Sequence, residues 1–214
     1  MSSSSAPRRT NVYVDGWNLY YGCLKDTRYR WLNVAEMASR ALPPGHVVRR
    51  TRYFTATVTA RASNPGQELR QLIYLRALGT VPDLAIHYGK FLVNAKVREL
   101  VTPLPNGVNR LPVWISEEKG SDVNIATYML LDAFHQEYEV AALVTDDSDL
   151  AETVTVLRQE LSVDVIVLSP RGKSQQLKQV ATDFRHINRS ALSRSQFPPV
   201  MRDAQGQFYK PSSW

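Results

Sequence analysis

Cysteine is nearly absent. Cys23 stands alone among 214 residues, which excludes an internal disulfide and a cysteine-based zinc site. That scarcity fits a reducing, cytoplasmic setting. No apolar run approaches the roughly 20 residues that a membrane helix needs, so no membrane partner is expected. Histidine is sparse too. His46, His87, His135 and His186 are scattered without metal-ligand spacing, and each reads as structural. Ser148 has no evident histidine beside it for nucleophilic catalysis. The opening MSSSSAPRRT lacks the apolar stretch of a secretory signal, so residues 1–10 are expected to form a disordered lead-in.

What is present describes a globular α/β chain. Hydrophobic residues make up 43% and charged residues 21%, and the length suits one domain with a substantial core. Lysine and arginine number 26 against 20 acids, and the net charge of +6 suits an anionic partner.

Asn11–Val14 reads as a buried strand ending at Asp15-Gly16. A helix follows over Leu32–Leu42, then a strand within Val47–Thr59, and a helix opened by Pro65 that runs to Gly79. Leu84–Tyr88 is a third strand. Gly89–Pro112 looks irregular, a hairpin or a mobile loop, with Val113–Ile115 a short edge strand. Helical spacing then runs over Asp122–Phe134, Leu150–Leu161 and Leu177–Ile187, alternating with apolar strands at Val140–Val144 and Val163–Leu168. The alternation implies a mainly parallel sheet with helices on both faces, in one domain over residues 11–190. Residues 191–214 have little periodicity but four aromatic side chains, and are expected to pack on the domain or extend from it.

Two apolar strands stop in acids: Val14 is followed by Asp15, and Val144-Thr145 by Asp146, Asp147 and Asp149. In a parallel sheet both sets lie at the carboxyl edge, where ligands bind. Asp122 opens the helix before the second of these strands and can reach the same edge. So many carboxylates in one place repel one another by several kcal/mol on the order-of-magnitude Coulomb scale, unless a cation is bound. Hard oxygen ligands favour Mg²⁺ or Mn²⁺, which activate water and stabilise a leaving oxygen in phosphoryl chemistry. Asp15, Asp122, Asp147 and Asp149 are therefore the candidate metal ligands. The plain alternative makes Asp15 and Asp147 turn residues, Asp122 a helix cap and Asp149 a dipole partner. Asn18 would orient a ligand or phosphate. Lys119 either contacts the scissile phosphate or balances charge. Arg171 and Lys173, after the last apolar strand, are candidate backbone contacts. Trp17, Tyr20, Tyr21 and Trp31 form an aromatic region able to stack on bases.

Three segments, VYVDGWNLYYG (Val12–Gly22), EEKGSDVNIATYMLLDAF (Glu117–Phe134) and ALVTDDSDLAETV (Ala142–Val154), together resemble the NYN domains, PIN-like nucleases related to the LabA group. The resemblance implies a three-layer α/β/α PIN-like (Rossmann-like) fold and a Mg²⁺- or Mn²⁺-dependent ribonuclease site. It places catalytic roles on Asp15, Asn18, Asp122, Asp147 and Asp149, and a hydroxyl position on Thr145. Asp146 departs from the Gly or Asn usual there. The expected function is an endonucleolytic ribonuclease acting on single-stranded or structured RNA, with homo-oligomerisation open. Two alternatives stay open: a non-catalytic RNA- or nucleotide-binding regulator, and a metal-dependent phosphohydrolase of small phosphate esters.

Overall fold

A computed structural model of the chain describes residues 6–58 and 64–214. Strand β1 (Arg8–Asp15) turns directly into the short helix α1 (Gly16–Leu19) and a π-helical turn over Tyr20–Leu24. Helix α2 (Val34–Ala41) leads to β2 (His46–Thr55), and α3 (Gln67–Leu78) to β3 (Leu84–Tyr88). A hairpin of β4 (Lys90–Glu99) and β5 (Arg110–Lys119) follows, then α4 (Ser121–Phe134) and β6 (Val140–Val144). The rest is α5 (Ala151–Gln159), β7 (Asp164–Ser169), α6 (Gln175–Val180), β8 (Asp183–His186), α7 (Arg189–Arg194), β9 (Val200–Asp203) and β10 (Gly206–Tyr209).

Six strands form one parallel sheet in the order β3-β2-β1-β6-β7-β8. The chain winds outward from β1 in one direction and then restarts at β6 in the other, so the switch in strand order falls between β1 and β6. The crevice there is where such sheets place ligands. The central strands are buried on both faces, and alternate side chains serve two cores. Val12 and Val14 of β1 pack with Trp31, Met37 and Leu78, while Tyr13 packs on the opposite face with Ile125, Met129 and Leu157. The result is the three-layer α/β/α arrangement. Among the described residues, no helix is long and apolar enough to cross a membrane.

The structure corrects the sequence reading in four places. Arg8–Thr10, assigned to the lead-in, belong to β1 and pair with His46–Val48 of β2. Their polarity hid them, because Arg8 and Arg9 satisfy the strand's open end through Asp164 at 2.6 Å and Glu139 at 3.5 Å. The irregular stretch is a regular antiparallel hairpin, and the short edge strand is the middle of its second arm. Both faces of this ribbon are solvated, so its side chains carry no burial signal. The helix expected over Leu177–Ile187 breaks after Val180, and β8 pairs in parallel with β7. Thr182 ends the helix by accepting the Val165 N–H and donating to Asp164. Trp31 is fully buried, its indole N–H bonded to the Pro198 carbonyl at 2.8 Å, and cannot stack on a base.

Residues 197–214 lie against the α3 side of the sheet. Phe197 and Trp214 meet the Trp31 ring at 5.8 and 6.2 Å. Arg76 of α3 grips Asp203 with two bonds of 2.7 Å and lies over the Phe208 ring.

Candidate metal centre at the sheet edge

Asp15 is the last residue of β1, on the same face as Tyr13 and therefore toward α4. It is 5% exposed. Both of its oxygens are held: Oδ1 accepts the Asn18 N–H at 2.9 Å, and Oδ2 accepts the Thr145 hydroxyl at 3.1 Å. The first bond caps α1, so the turn function and the site function coincide in one carboxylate. Gly16 follows of necessity: a Cβ there would lie 2.6 Å from the Tyr53 ring and 2.7 Å from the Phe54 carbonyl.

Thr145 also accepts the Asp147 N–H at 3.1 Å, and Asn18 Oδ1 accepts the Asp146 N–H at 3.0 Å. Thr145 and Asn18 thus lock the loop after β6 onto the loop after β1. Asp147 caps the 3₁₀ turn of Ser148–Leu150 through the Asp149 N–H at 3.0 Å. Asp122 enters from the first turn of α4, whose cap is Gly120 at φ +97°, so Asp122 is not the cap itself.

One oxygen from each of Asp15, Asp122 and Asp147 lies within 4.8 Å of the other two. The electrostatics follow from this crowding. Burial pushes the Asp15 carboxyl up to about 6, against the opposing bonds from Asn18 and Thr145, and the charges of Asp122 and Asp147 push the same way. Asp122 is raised too, first by burial and then by Asp147, Glu118 and Asp149. Two acids that resist ionisation side by side, with converging oxygens, make a donor set suited to a hard divalent cation. Asp149 is not in the converging set. Its side chain is exposed, and it acts on Asp122 through its field.

Asp146 has another task. It accepts the Ser169 hydroxyl and the Arg171 N–H, the latter at 2.7 Å, and so ties down the loop after β7. The Arg171 guanidinium donates to the Tyr21 carbonyl at 3.1 Å. Lys173 is exposed on the same loop, and Lys119 is exposed at the end of β5, 3.4 Å from Glu117. Trp17 stacks on Tyr21 at 5.7 Å and meets Phe91 of the hairpin edge-on at 5.4 Å.

Sequence reasoning missed two features. Asp132, Arg52 and Tyr13 form a buried network: Arg52 binds Asp132 with bonds of 2.6 and 2.7 Å, and the Tyr13 hydroxyl adds one of 2.7 Å. An aspartate on the same helix stripe as Ile125 and Met129 was its one signal. The second is a cavity of about 400 Å³ between α1 and α3, lined by Tyr53, Tyr74 and Trp214 among others. No spacing in the sequence announces it, because its walls come from four separate stretches of chain.

The comparisons agree with this architecture. Over most of its length the chain is similar to 6-hydroxy-3-succinoylpyridine 3-monooxygenase HspA of Pseudomonas putida, with 30% identity across 98% of this chain and 76% of that protein. A crystal structure of a protein of unknown function from Vibrio parahaemolyticus shares the fold, with a TM-score of 0.54, 20% identity, and 88% of this chain and 98% of that one covered. The NYN domain model matches residues 9–188, from the second residue of β1 to the start of α7, and the chain belongs to the NYN domain family.

Proposed function

We propose that this protein is a metal-dependent ribonuclease that hydrolyses phosphodiester bonds of RNA endonucleolytically at the Asp15–Asp122–Asp147 edge. The convergence of those three carboxylates within 4.8 Å at the strand-order switch carries the reading. Mg²⁺ or Mn²⁺ held there would supply an activated water and neutralise charge on the scissile phosphate. Asp15 and Asp147 hold their orientation through Thr145, and Asn18 keeps the two loops in register. Asp149 adds negative field without joining the ligands. Lys119, Arg171 and Lys173 contact the phosphate backbone in this reading, and the Trp17–Tyr21 stack contacts bases. The net charge of +6 supports an RNA partner over a small phosphate ester. A binder without catalysis gains nothing from crowded acids that repel its ligand.

The test is cleavage of an end-labelled single-stranded RNA with Mn²⁺, with Mg²⁺ and with chelator. Cleavage is expected only with metal, and Asp147→Asn is expected to reduce it by a hundredfold or more, on the order of 3 kcal/mol of transition-state stabilisation. Undiminished cleavage in chelator, or by that variant, would refute the mechanism.

A second reading rests on the relative from Pseudomonas putida, whose name specifies monooxygenation of a pyridine acid. In it, the chain acts on a small heteroaromatic acid. Incubation with 6-hydroxy-3-succinoylpyridine, dioxygen and a two-electron reductant decides: a hydroxylated product would favour it, and the nuclease reading expects none.

A further inference from the structure

The cavity beside α1 has a chemistry opposite to that of the acidic edge. One wall is the Trp17–Tyr21 stack, with Tyr20 edge-on to Tyr21 at 5.2 Å. Another is Tyr74 and Trp214, whose rings lie 5.6 Å apart. Tyr53 joins them, its hydroxyl pressed against the turn at Gly16. That contact brings the cavity to within one residue of Asp15, but on the other face of β1. The charged lining is Lys25, Arg30 and Arg70 against Asp26 alone, a surplus of cations. The Trp17 indole N–H is buried and has no hydrogen-bond partner among the described residues.

We infer that this cavity binds a planar heteroaromatic ring bearing an anionic group. Aromatic side chains in the lining suit a flat ring, and contacts of this kind tolerate different rings. Guanidinium groups in the lining suit a phosphate or a carboxylate. The volume of about 400 Å³ falls at the small end of ligand pockets and holds one such unit, not a duplex. Arg30 is held for this role by bonds to the Thr27 and Ser213 carbonyls at 3.1 and 2.7 Å, with its guanidinium over Trp214. Two sources share the chemistry: a nucleotide unit of an RNA strand and a free heteroaromatic acid. Binding here needs no metal and so stands apart from hydrolysis at the acidic edge.

Calorimetric titration of the whole chain in chelator separates the possibilities, with uridine 5′-monophosphate, uridine and pyridine-3-carboxylate as probes. At least one anionic probe is expected to bind saturably, with uridine tenfold weaker or more than its monophosphate if the nucleotide is the source. Tighter binding of the monophosphate identifies an RNA unit, and tighter binding of the carboxylate a free acid. Arg30→Gln with Arg70→Gln should weaken the favoured probe at least tenfold. Lys25→Gln, at an exposed position, gives a smaller loss in the same direction and serves if the double variant does not fold. No binding of either anion, uridine binding as tightly as the favoured anion, or anion binding indifferent to Lys25 and both arginines overturns the inference.

Discussion

Asp15 is asked to be buried and charged at once. Its folded-state pKa of about 6 lies above the 3.8 of an ordinary aspartate. A raised pKa means that the protonated form stabilises the fold: the contribution is complete below about 3.8 and is lost as pH rises through about 6. In chelator, Asp15→Asn should therefore gain on the wild type as pH climbs from about 4 to 7, by a few kcal/mol at the upper end. A melting series across that window checks it, and a constant gap counts against the burial argument. Asp122 gives a matching expectation. Because Gly120 is the cap of α4, neither Asp122→Asn nor Asp122→Ala loses a capping bond. Both should melt at or above the wild-type temperature in chelator and lose the rise that Mn²⁺ gives by preferential binding to the folded state. A full Mn²⁺ shift in either variant would remove Asp122 from the ligand set.

Helix α4 does two jobs at two depths. Its first turn presents Asp122 to the edge, and about three turns further along Asp132 anchors it to β1 and β2 through Tyr13 and Arg52. The Arg52 and Asp132 side chains are only 11% and 2% exposed, so removing one strands the other in the core. Asp132→Ala should cost about 3–5 kcal/mol, read from denaturant midpoints. The same change should weaken Mn²⁺ binding less than Asp122→Asn does, because it lies away from the edge. The β4–β5 hairpin behaves differently. It touches the site through Phe91 on Trp17 and leaves Val93, Val97 and Trp114 exposed by 50%, 56% and 77%.

At the scale of the molecule, opposite charges are sorted. The chain carries a net charge of +6 beside an edge of converging carboxylates, so in the nuclease reading an anionic polymer is attracted generally and meets repulsion only where a cation would sit. RNA affinity should then fall log-linearly with salt, through release of counterions, in a filter-binding or anisotropy series at constant Mn²⁺. Salt-independent affinity would count against contacts to a phosphate backbone.

The parallel character of the sheet and the edge at which the acids lie were legible in the sequence. Val12–Val14, Ala141–Val144 and Val165–Leu168 are continuous apolar runs, and a strand buried on both faces leaves that mark without help from distant residues. The acids at the ends of β1 and β6 follow from the same runs, since a parallel sheet aligns its carboxyl ends. What the tertiary structure decided was membership. Asp149 differs from Asp147 by two residues, yet one turn of 3₁₀ helix turns it out of the converging set. Asp146 faces Ser169 and the Arg171 N–H because β7 lies beside β6, a neighbour no local pattern names. The aromatic cavity is assembled from segments as far apart as Gly16 and Trp214, and only packing brings their side chains to one place. Local runs record burial; which side chains meet is set by long-range contact, and it is there that two strand-end acids and one helix acid become three converging carboxylates that could hold one cation.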